Sequence, residues 1–216
     1  MKKFFKENIG VIVKLMINQI AMMIFGFTIT SAIEVISKGA GLLGAAIFAV
    51  VFYLTLIYNV VWEVGAKDKI RIDSGREKFS KLKGFWISFV ANIPNLIIAI
   101  LILIGFIFGR VEGAFGYEWA SSLHSVAGFA AIILEGMYLG FILLIMPGNP
   151  AMYFIIIIPA LVVCTAAYIF GAKNIRIGRL FGIKNKADKQ IEAHNISLKK
   201  HHLGSDGLES DDDGTI

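Results

Sequence analysis

Long apolar runs alternate with short charged stretches along most of this 216-residue chain. The runs carry few ionisable residues, and each reaches about the 20 residues that a helix needs to cross the hydrocarbon core of a bilayer. Four of them predict simple transmembrane spans, at residues 9–30, 40–64, 84–108 and 151–171. The pattern therefore predicts an all-α integral membrane protein, built as a helical bundle of four transmembrane spans.

A fifth apolar run, residues 126–146, is long enough to span but conflicts with the charges around it. It is apolar apart from Glu135, and it places Gly136 and Gly140 at the GxxxG spacing that lets helices approach closely. A fifth crossing would place the basic residues that follow the last run, from residue 173 onward, on the opposite side of the membrane from the basic stretch at residues 67–83. We therefore expect a re-entrant or tilted membrane-embedded segment on the outer side, with five or six spans as the alternatives.

The charged stretches predict the orientation. Residues 67–83 hold seven Lys or Arg against three Asp or Glu, and short basic loops stay on the cytoplasmic side of a membrane. Residues 65–67 and 171–173 are both Gly-Ala-Lys, and Ile-Arg-Ile follows at 70–72 and 175–177. This repeat predicts that the second and fourth spans end at the same surface. We expect both termini to be cytoplasmic and the membrane to be a bacterial plasma membrane.

Composition supports the membrane assignment and suggests a partner. The chain is 56% hydrophobic and 17% charged, whereas soluble domains are about 25% charged. Its net charge is +5, and basic residues beside spans are typical of contacts with anionic lipid. The candidate contacts are Lys67, Lys69, Arg71, Arg76, Lys173, Arg176 and Arg179. We expect anionic lipid at the cytoplasmic face, a membrane or cytoplasmic protein as a further candidate partner, and no nucleic acid.

The last part of the chain differs from the rest. Residues 1–190 are predicted to form a multi-pass transmembrane domain. Residues 191–216 are rich in Gly, Ser and Asp, a composition that buries too little apolar surface to fold. They predict a disordered acidic cytoplasmic tail.

Polar residues inside the apolar runs are the candidate functional residues, because a charged group near the bilayer centre costs about 2.5–3.5 kcal/mol. The candidate intramembrane polar site comprises Glu135, Asn92, Asn95, Lys14, Asn18 and Gln19. Pro94 interrupts the helical hydrogen bonding beside the two asparagines, which indicates either a packing kink or a break that binds a substrate. Lys14 lies near the start of the first apolar run, close to the basic residues at positions 2, 3 and 6, so its long side chain can reach the interface instead.

Enzyme motifs are absent from the sequence. We find no metalloprotease, nucleophile-elbow or phosphate-loop signature, and the single cysteine, Cys164, cannot form an internal disulfide. We therefore predict no catalytic residue, no cofactor and no metal site. The favoured function is a small transporter, channel or transport-accessory subunit. The alternatives are a membrane scaffold that binds a partner or lipid without transport and, third, an intramembrane enzyme.

Overall fold

The computed structural model describes residues 2–37, 41–109, 117–145 and 148–175. All the regular elements in these ranges are helical. They are α1 (Lys2–Ser37), α2 (Leu42–Asp73), α3 (Lys83–Ala91), α4 (Ile93–Phe108), α5 (Tyr117–Glu135), a 3-10 turn (Gly136–Tyr138), α6 (Leu139–Ile145), α7 (Met152–Ile155) and α8 (Ile157–Ala172). The predicted tail at 191–216 lies outside the described residues.

The helices have the length and composition of membrane spans, which confirms the prediction of an all-helical structure with apolar helices of membrane-spanning length within the described residues. Four segments are long and apolar enough to cross a bilayer: Phe4–Ile33, Leu42–Asp73, Glu118–Ile145 and Met152–Ala172. The bent pair of α3 and α4 would be a fifth if it is counted as one span. Large apolar side chains are exposed on these helices, among them Ile24 at 60% and Val51 at 56%. Such surfaces are suited to contact with lipid.

The sharp break in the chain lies at Asn92, within the predicted span 84–108, where Pro94 had indicated a kink or a break. α3 ends at Ala91, α4 begins at Ile93, and their axes differ by 54°. Pro94, at the start of α4, has no N–H with which to continue the hydrogen bonding of α3. The run at 126–146, predicted to be a re-entrant or tilted embedded segment, lies within the helical segment Glu118–Ile145 up to residue 145. Its irregularity is the single 3-10 turn.

The basic loop is shorter than the predicted range of 67–83. α2 continues to Asp73, and α3 begins at Lys83. Pairs of opposite charge four residues apart support these last turns of α2: Lys67 lies 3.8 Å from Glu63, and Lys69 lies 2.7 Å from Asp73. The charge pattern therefore extends a helix where we had expected a loop.

The ends of α2 and α8 lie side by side. A Cβ atom at Gly65 would clash with the backbone of Tyr168 and lie 2.7 Å from the Ala172 nitrogen, and one at Gly171 would clash with the Trp62 carbonyl oxygen. The two backbones approach this closely because both positions are glycine. The two Gly-Ala-Lys exits, predicted to meet the same surface, are thus in contact.

The remaining helices pack around this pair. α1 runs antiparallel to α2, since Gln19 meets Tyr53 while Phe25 meets Phe48. The start of α3 lies against the last turns of α8, with Gly84 against Cys164 and Tyr168. The main core cluster draws on these helices, including Leu15, Ile57, Val61, Ile87 and Ala167.

The glycines at GxxxG spacing contact two different helices. A Cβ at Gly136 would lie 2.9 Å from the Met23 side chain of α1, and one at Gly140 would lie 2.7 Å from Ala46 of α2. Gly26 of α1 packs reciprocally against the backbone of Met137. The 3-10 turn therefore packs against α1, whereas α6 packs against α2.

α5 is also paired with α4. Gly105 of α4 approaches the backbone at Ala120 and His124 of α5. A small separate core of Ile102, Ala127 and Ala131 fills the space between them. The end of α4 thus meets the beginning of α5, and the two helices form an antiparallel pair.

Candidate functional site

Asn92 occupies the break between α3 and α4, and its side chain joins three other residues. Its Oδ1 accepts hydrogen bonds from Gln19 Nε2 at 2.9 Å and from Asn95 Nδ2 at 3.2 Å. Its Nδ2 donates to the Ser88 carbonyl oxygen at 2.8 Å and lies 3.4 Å from Ser88 Oγ. The helix break therefore supplies a polar centre at a buried position, since Asn92 is 5% exposed.

Gln19 connects this centre to two further helices. Its Nε2 also lies 3.4 Å from the Tyr53 hydroxyl oxygen, and the Gln19 side chain is buried. Residues 19, 92 and 95, which the sequence marked separately, are thus brought together with Tyr53 in one cluster. We call this group of Gln19, Tyr53, Ser88, Asn92 and Asn95 the amide cluster.

Tyr53 and Ser88 were missed by the sequence reasoning. A signal for Tyr53 was present, because it continues the small-residue stripe of Ala45, Ala46 and Ala49 at helical spacing. That face of α2 is buried, and Tyr53 is 2% exposed. For Ser88, no signal in the sequence sets it apart from other span serines.

Glu135 lies at the end of α5, where the chain changes to the 3-10 turn. It is only 2% exposed, and neither carboxylate oxygen has a hydrogen-bond partner within the described part of the chain. Tyr138, three residues further along the chain, packs edge to face against Tyr53 of the amide cluster, with the ring centroids 6.0 Å apart. Glu135 therefore borders the amide cluster without being bonded to it.

Two other polar atoms near this region also lack partners among the described residues. They are Asn95 Oδ1 and the Tyr138 hydroxyl. Both side chains are buried. Since buried polar groups are nearly always hydrogen-bonded in folded proteins, these atoms and the Glu135 oxygens mark a site with unused bonding capacity.

Lys14 and Asn18 are placed differently from their neighbour Gln19. Lys14 is exposed on α1 and Asn18 is half-buried. Neither side chain belongs to the hydrogen-bonded amide cluster as the described residues define it. The polar stripe on α1 therefore contributes Gln19 to the cluster, and the position of Lys14 agrees with a side chain that reaches toward the interface.

A second buried polar cluster lies where α2, α3 and α8 meet at their basic ends. Asp68 is 3% exposed, and its Oδ2 lies 2.6 Å from Lys83 Nζ and accepts a hydrogen bond from the Tyr168 hydroxyl at 2.9 Å. Arg71 Nη1 lies 4.0 Å from Asp68 Oδ1 and 3.5 Å from Glu77 Oε1. The sequence reasoning counted Asp68 only as one acidic residue of a basic loop.

The candidate lipid-contact residues are partly engaged with nearby carboxylates. Lys67, Lys69 and Arg71 form the ion pairs described above. Arg76 and Lys173 are exposed, whereas Arg176 and Arg179 lie outside the described residues. Arg76 borders an open groove of about 440 Å³, whose lining is Phe4, Glu7, Arg76, Glu77, Lys78, Ser80, Lys83, Trp86 and Tyr168.

Comparison of the chain with protein-family models, with curated proteins and with solved structures found no match. Within the described ranges, no group of three or more His, Cys, Asp or Glu side chains is arranged to hold a metal ion. The amide cluster and Glu135 are therefore the features of the described residues that indicate a function.

Proposed function

We propose that this chain is a small membrane transporter, whose substrate passes the amide cluster and Glu135. The observation that carries the proposal is Glu135, a buried carboxyl group without a partner on an apolar helix of membrane-spanning length. Ionisable groups at such positions are costly and typically mark a substrate or ion pathway. The neighbouring break at Asn92 adds support, because transporters build substrate sites from interrupted helices.

The contacts between helices favour four crossings. α2 and α8 have their ends together at Gly65 and Gly171, so they cross in the same direction. An odd number of crossings must then separate them. The 54° bend at Asn92 is less than a right angle, so α4 continues away from the start of α3. We therefore assign one bent span to α3 and α4.

α5 runs beside α4 from Gly105 toward the break, whereas Gly140 of α6 lies against Ala46 and near the Leu42 carbonyl oxygen, at the start of α2. The chain would thus reverse its direction at the 3-10 turn, and we assign Glu118–Ile145 to an embedded segment that leaves on the side it entered.

This assignment also satisfies the charges. It places the basic residues after α2 and those after α8 on one side, which the positive-inside rule identifies as the cytoplasm. Both termini then lie in the cytoplasm, and the amide cluster lies at the level of Tyr53, about a third of the way along α2 from its start. A plasma membrane of a bacterium is the proposed location.

A second candidate is a lipid-binding protein without transport. The observation that favours it is the groove beside Arg76. Its lining has three basic side chains against the two carboxylates of Glu7 and Glu77, together with the aromatic rings of Phe4, Trp86 and Tyr168. Such a lining suits a phosphate headgroup and the top of an acyl chain. However, this function gives no reason for a partnerless carboxyl group at Glu135, and we therefore prefer transport.

Access from both sides of the membrane distinguishes the two functions without knowledge of the substrate. In a Cys164→Ala background, Asn95→Cys and Tyr138→Cys would each be treated with a small membrane-impermeant thiol reagent. The vesicles would be prepared in both orientations. Alternating access predicts labelling from either side, because a transport site must open to both. Labelling of neither cysteine would reject transport.

A matched control is available in Ala46. This residue is completely buried and packs against Gly140, so Ala46→Cys should stay unlabelled in both orientations. If Ala46→Cys is labelled as readily as the site cysteines, general loosening of the bundle accounts for the reaction. Labelling of the site cysteines would then no longer support transport.

A further inference from the structure

The buried polar atoms without a hydrogen-bond partner beside the amide cluster are all oxygens within the described residues. Among the described residues near the break, the partnerless buried atoms are both oxygens of Glu135, Asn95 Oδ1 and the Tyr138 hydroxyl. Three of these four atoms are pure hydrogen-bond acceptors when Glu135 is ionised, and the hydroxyl also accepts. A ligand that complements them must donate hydrogen bonds or carry positive charge.

The amide hydrogens of the cluster are largely committed to one another. A side-chain amide has two N–H donors. Those of Gln19 point to Asn92 Oδ1 and the Tyr53 oxygen, and those of Asn92 point to the carbonyl and hydroxyl oxygens of Ser88. Asn95 donates one of its two N–H groups to Asn92 Oδ1. The protein therefore offers few free donors to a ligand and several free acceptors.

The charge of Glu135 is not balanced from within the described chain. No described Lys, Arg or His lies within ion-pair distance of its carboxylate, and Lys14 is exposed on another helix. Burial of an unpaired ion costs several kcal/mol even after relaxation. A counter-charge from solution would remove that cost.

Two helix C-termini lie beside these polar atoms. α3 ends at Ala91, directly before Asn92, and α5 ends at Glu135 itself. The C-terminal end of a helix carries a partial negative charge and carbonyl oxygens without helical partners. In broken transmembrane helices such ends coordinate monovalent cations. The C-terminal carbonyl oxygens can thus add ligands for a cation, while the N-terminal ends of the next elements, which begin at Ile93 and Gly136, offset the partial charge.

The number of charges limits the cation. One carboxylate balances one positive charge. Calcium takes six to eight oxygen ligands, generally with several carboxylates, and the described residues provide no cluster of three acidic, His or Cys side chains. Only small ligands fit among side chains that are 5% exposed or less.

We propose that Glu135, Tyr138 and Asn95 form a binding site for a small monovalent cation, either an alkali ion or ammonium. This assignment rests on the proposed transport function for its physiological meaning, since it names the class of the transported or co-transported species. The binding itself is an equilibrium property of the site, and it is measurable whether or not transport occurs.

The test uses purified full-length protein in detergent or nanodiscs at fixed pH and ionic strength. Thermal unfolding would be followed in N-methylglucamine chloride, whose cation is too large for the site. Sodium, potassium or ammonium chloride would then replace this salt in increasing proportion at constant total concentration. At least one small cation should raise the midpoint in a saturable manner, because ligands that bind only the folded state stabilise it. Glu135→Gln should abolish the effect, and Glu118→Gln, at an exposed position on the same helix, should retain it.

A milder variant guards against a failure of Glu135→Gln to fold. Tyr138→Phe removes one oxygen and should weaken the apparent cation affinity about fivefold, the value of one modest polar contact. The proposal is overturned if no cation gives a saturable shift, or if the shift persists unchanged in Glu135→Gln. It is also overturned if the Glu135→Gln substitution changes only the pH dependence of unfolding, since the charge of Glu135 is then neutralised by a proton.

The two proposals fail in distinguishable ways. Saturable cation binding together with unlabelled site cysteines would reject transport and keep the cation site. Labelling from both sides without any cation effect would keep transport and point to an uncharged substrate.

Discussion

Gly65 of α2 and Gly171 of α8 meet backbone to backbone, and each belongs to a Gly-Ala-Lys sequence at the end of its helix. A side chain at either position would meet the main chain of the opposite helix, which cannot move aside as a flexible side chain can. The contact holds the two exits at one level. It also fixes the relative direction of α2 and α8, on which the proposed topology depends.

Gly171→Ala should therefore destabilise the protein. Overpacking a close contact typically costs about 1–3 kcal/mol, and the backbone obstacle at Trp62 places this substitution toward the upper part of that range. Denaturant unfolding in micelles would measure the loss. Gly10→Ala is the matched control, because no atom lies within 4 Å of the added methyl group and alanine favours a helix. Equal losses in the two variants would contradict the close contact.

Asp68→Asn should also destabilise the protein, for an electrostatic reason. The substitution keeps a partner for the Tyr168 hydroxyl but removes the charge partner of the Lys83 ammonium at 2.6 Å, and leaves it only the more distant Glu77 carboxylate at 3.9 Å. Breaking a buried pair on one side costs about 3 kcal/mol. Asp73→Asn, which removes an exposed pair with Lys69, should cost less than about 1 kcal/mol.

The cause can be separated from general damage at Asp68 by a second substitution. If the unpaired Lys83 ammonium is responsible, Lys83→Met should recover part of the stability lost in Asp68→Asn. Additive losses in the double variant would argue against the ion pair as the main contribution of Asp68.

The hydrogen bond between Gln19 and Asn92 should appear as a coupling energy. Gln19→Ala, Asn92→Ala and the double variant form a mutant cycle, and interhelical polar contacts in membranes are worth about 1 kcal/mol. The coupling would be measured from unfolding free energies. Asn18→Ala, one residue away and half-buried, should show coupling near zero with Asn92→Ala, and a similar value for both pairs would contradict the specific contact.

The number of crossings can be tested by the side on which two exposed positions lie. Ser80 follows α2, and Gly148 follows the segment Glu118–Ile145. In a Cys164→Ala background, four crossings predict that Ser80→Cys reacts with an impermeant reagent only from the cytoplasmic side and that Gly148→Cys reacts only from the other side. If both positions react from the same side, Glu118–Ile145 crosses the membrane and the five-span arrangement is correct.

Much of the fold was predictable because it depends on local pattern. The length of each apolar run predicts a membrane helix, since a lipid-exposed backbone must satisfy its own hydrogen bonds. Pro94 beside Asn92 marked the break for a similar reason, because a missing N–H acts on its own helix. The likeness of the two Gly-Ala-Lys exits also indicated a common surface. These signals are carried by neighbouring residues.

The partners of the buried polar groups were not predictable in the same way. Gln19 and Asn92 are separated by 73 residues, and Asp68 and Tyr168 by 100, so their pairing depends on which helix faces meet and at what axial position. Hydropathy fixes neither quantity. The same limit applies to Gly136 and Gly140, whose spacing predicted a helix contact but not that they would contact two different helices.

The sequence by itself determined that this is an all-helical protein with membrane-length apolar helices, and it identified Glu135, Asn92, Asn95 and Gln19 as polar residues that need a reason to be there. Only the tertiary structure decided that three of them share hydrogen bonds and that Glu135 is left without any. The physical reason is that the free-energy cost of burying a polar side chain depends on the residue type, which the sequence shows. The hydrogen bonds that offset this cost depend on which residues pack against it in the folded structure. The structure therefore supplied what the chain alone did not: the distinction between a polar side chain that is satisfied and one that still has bonds to offer.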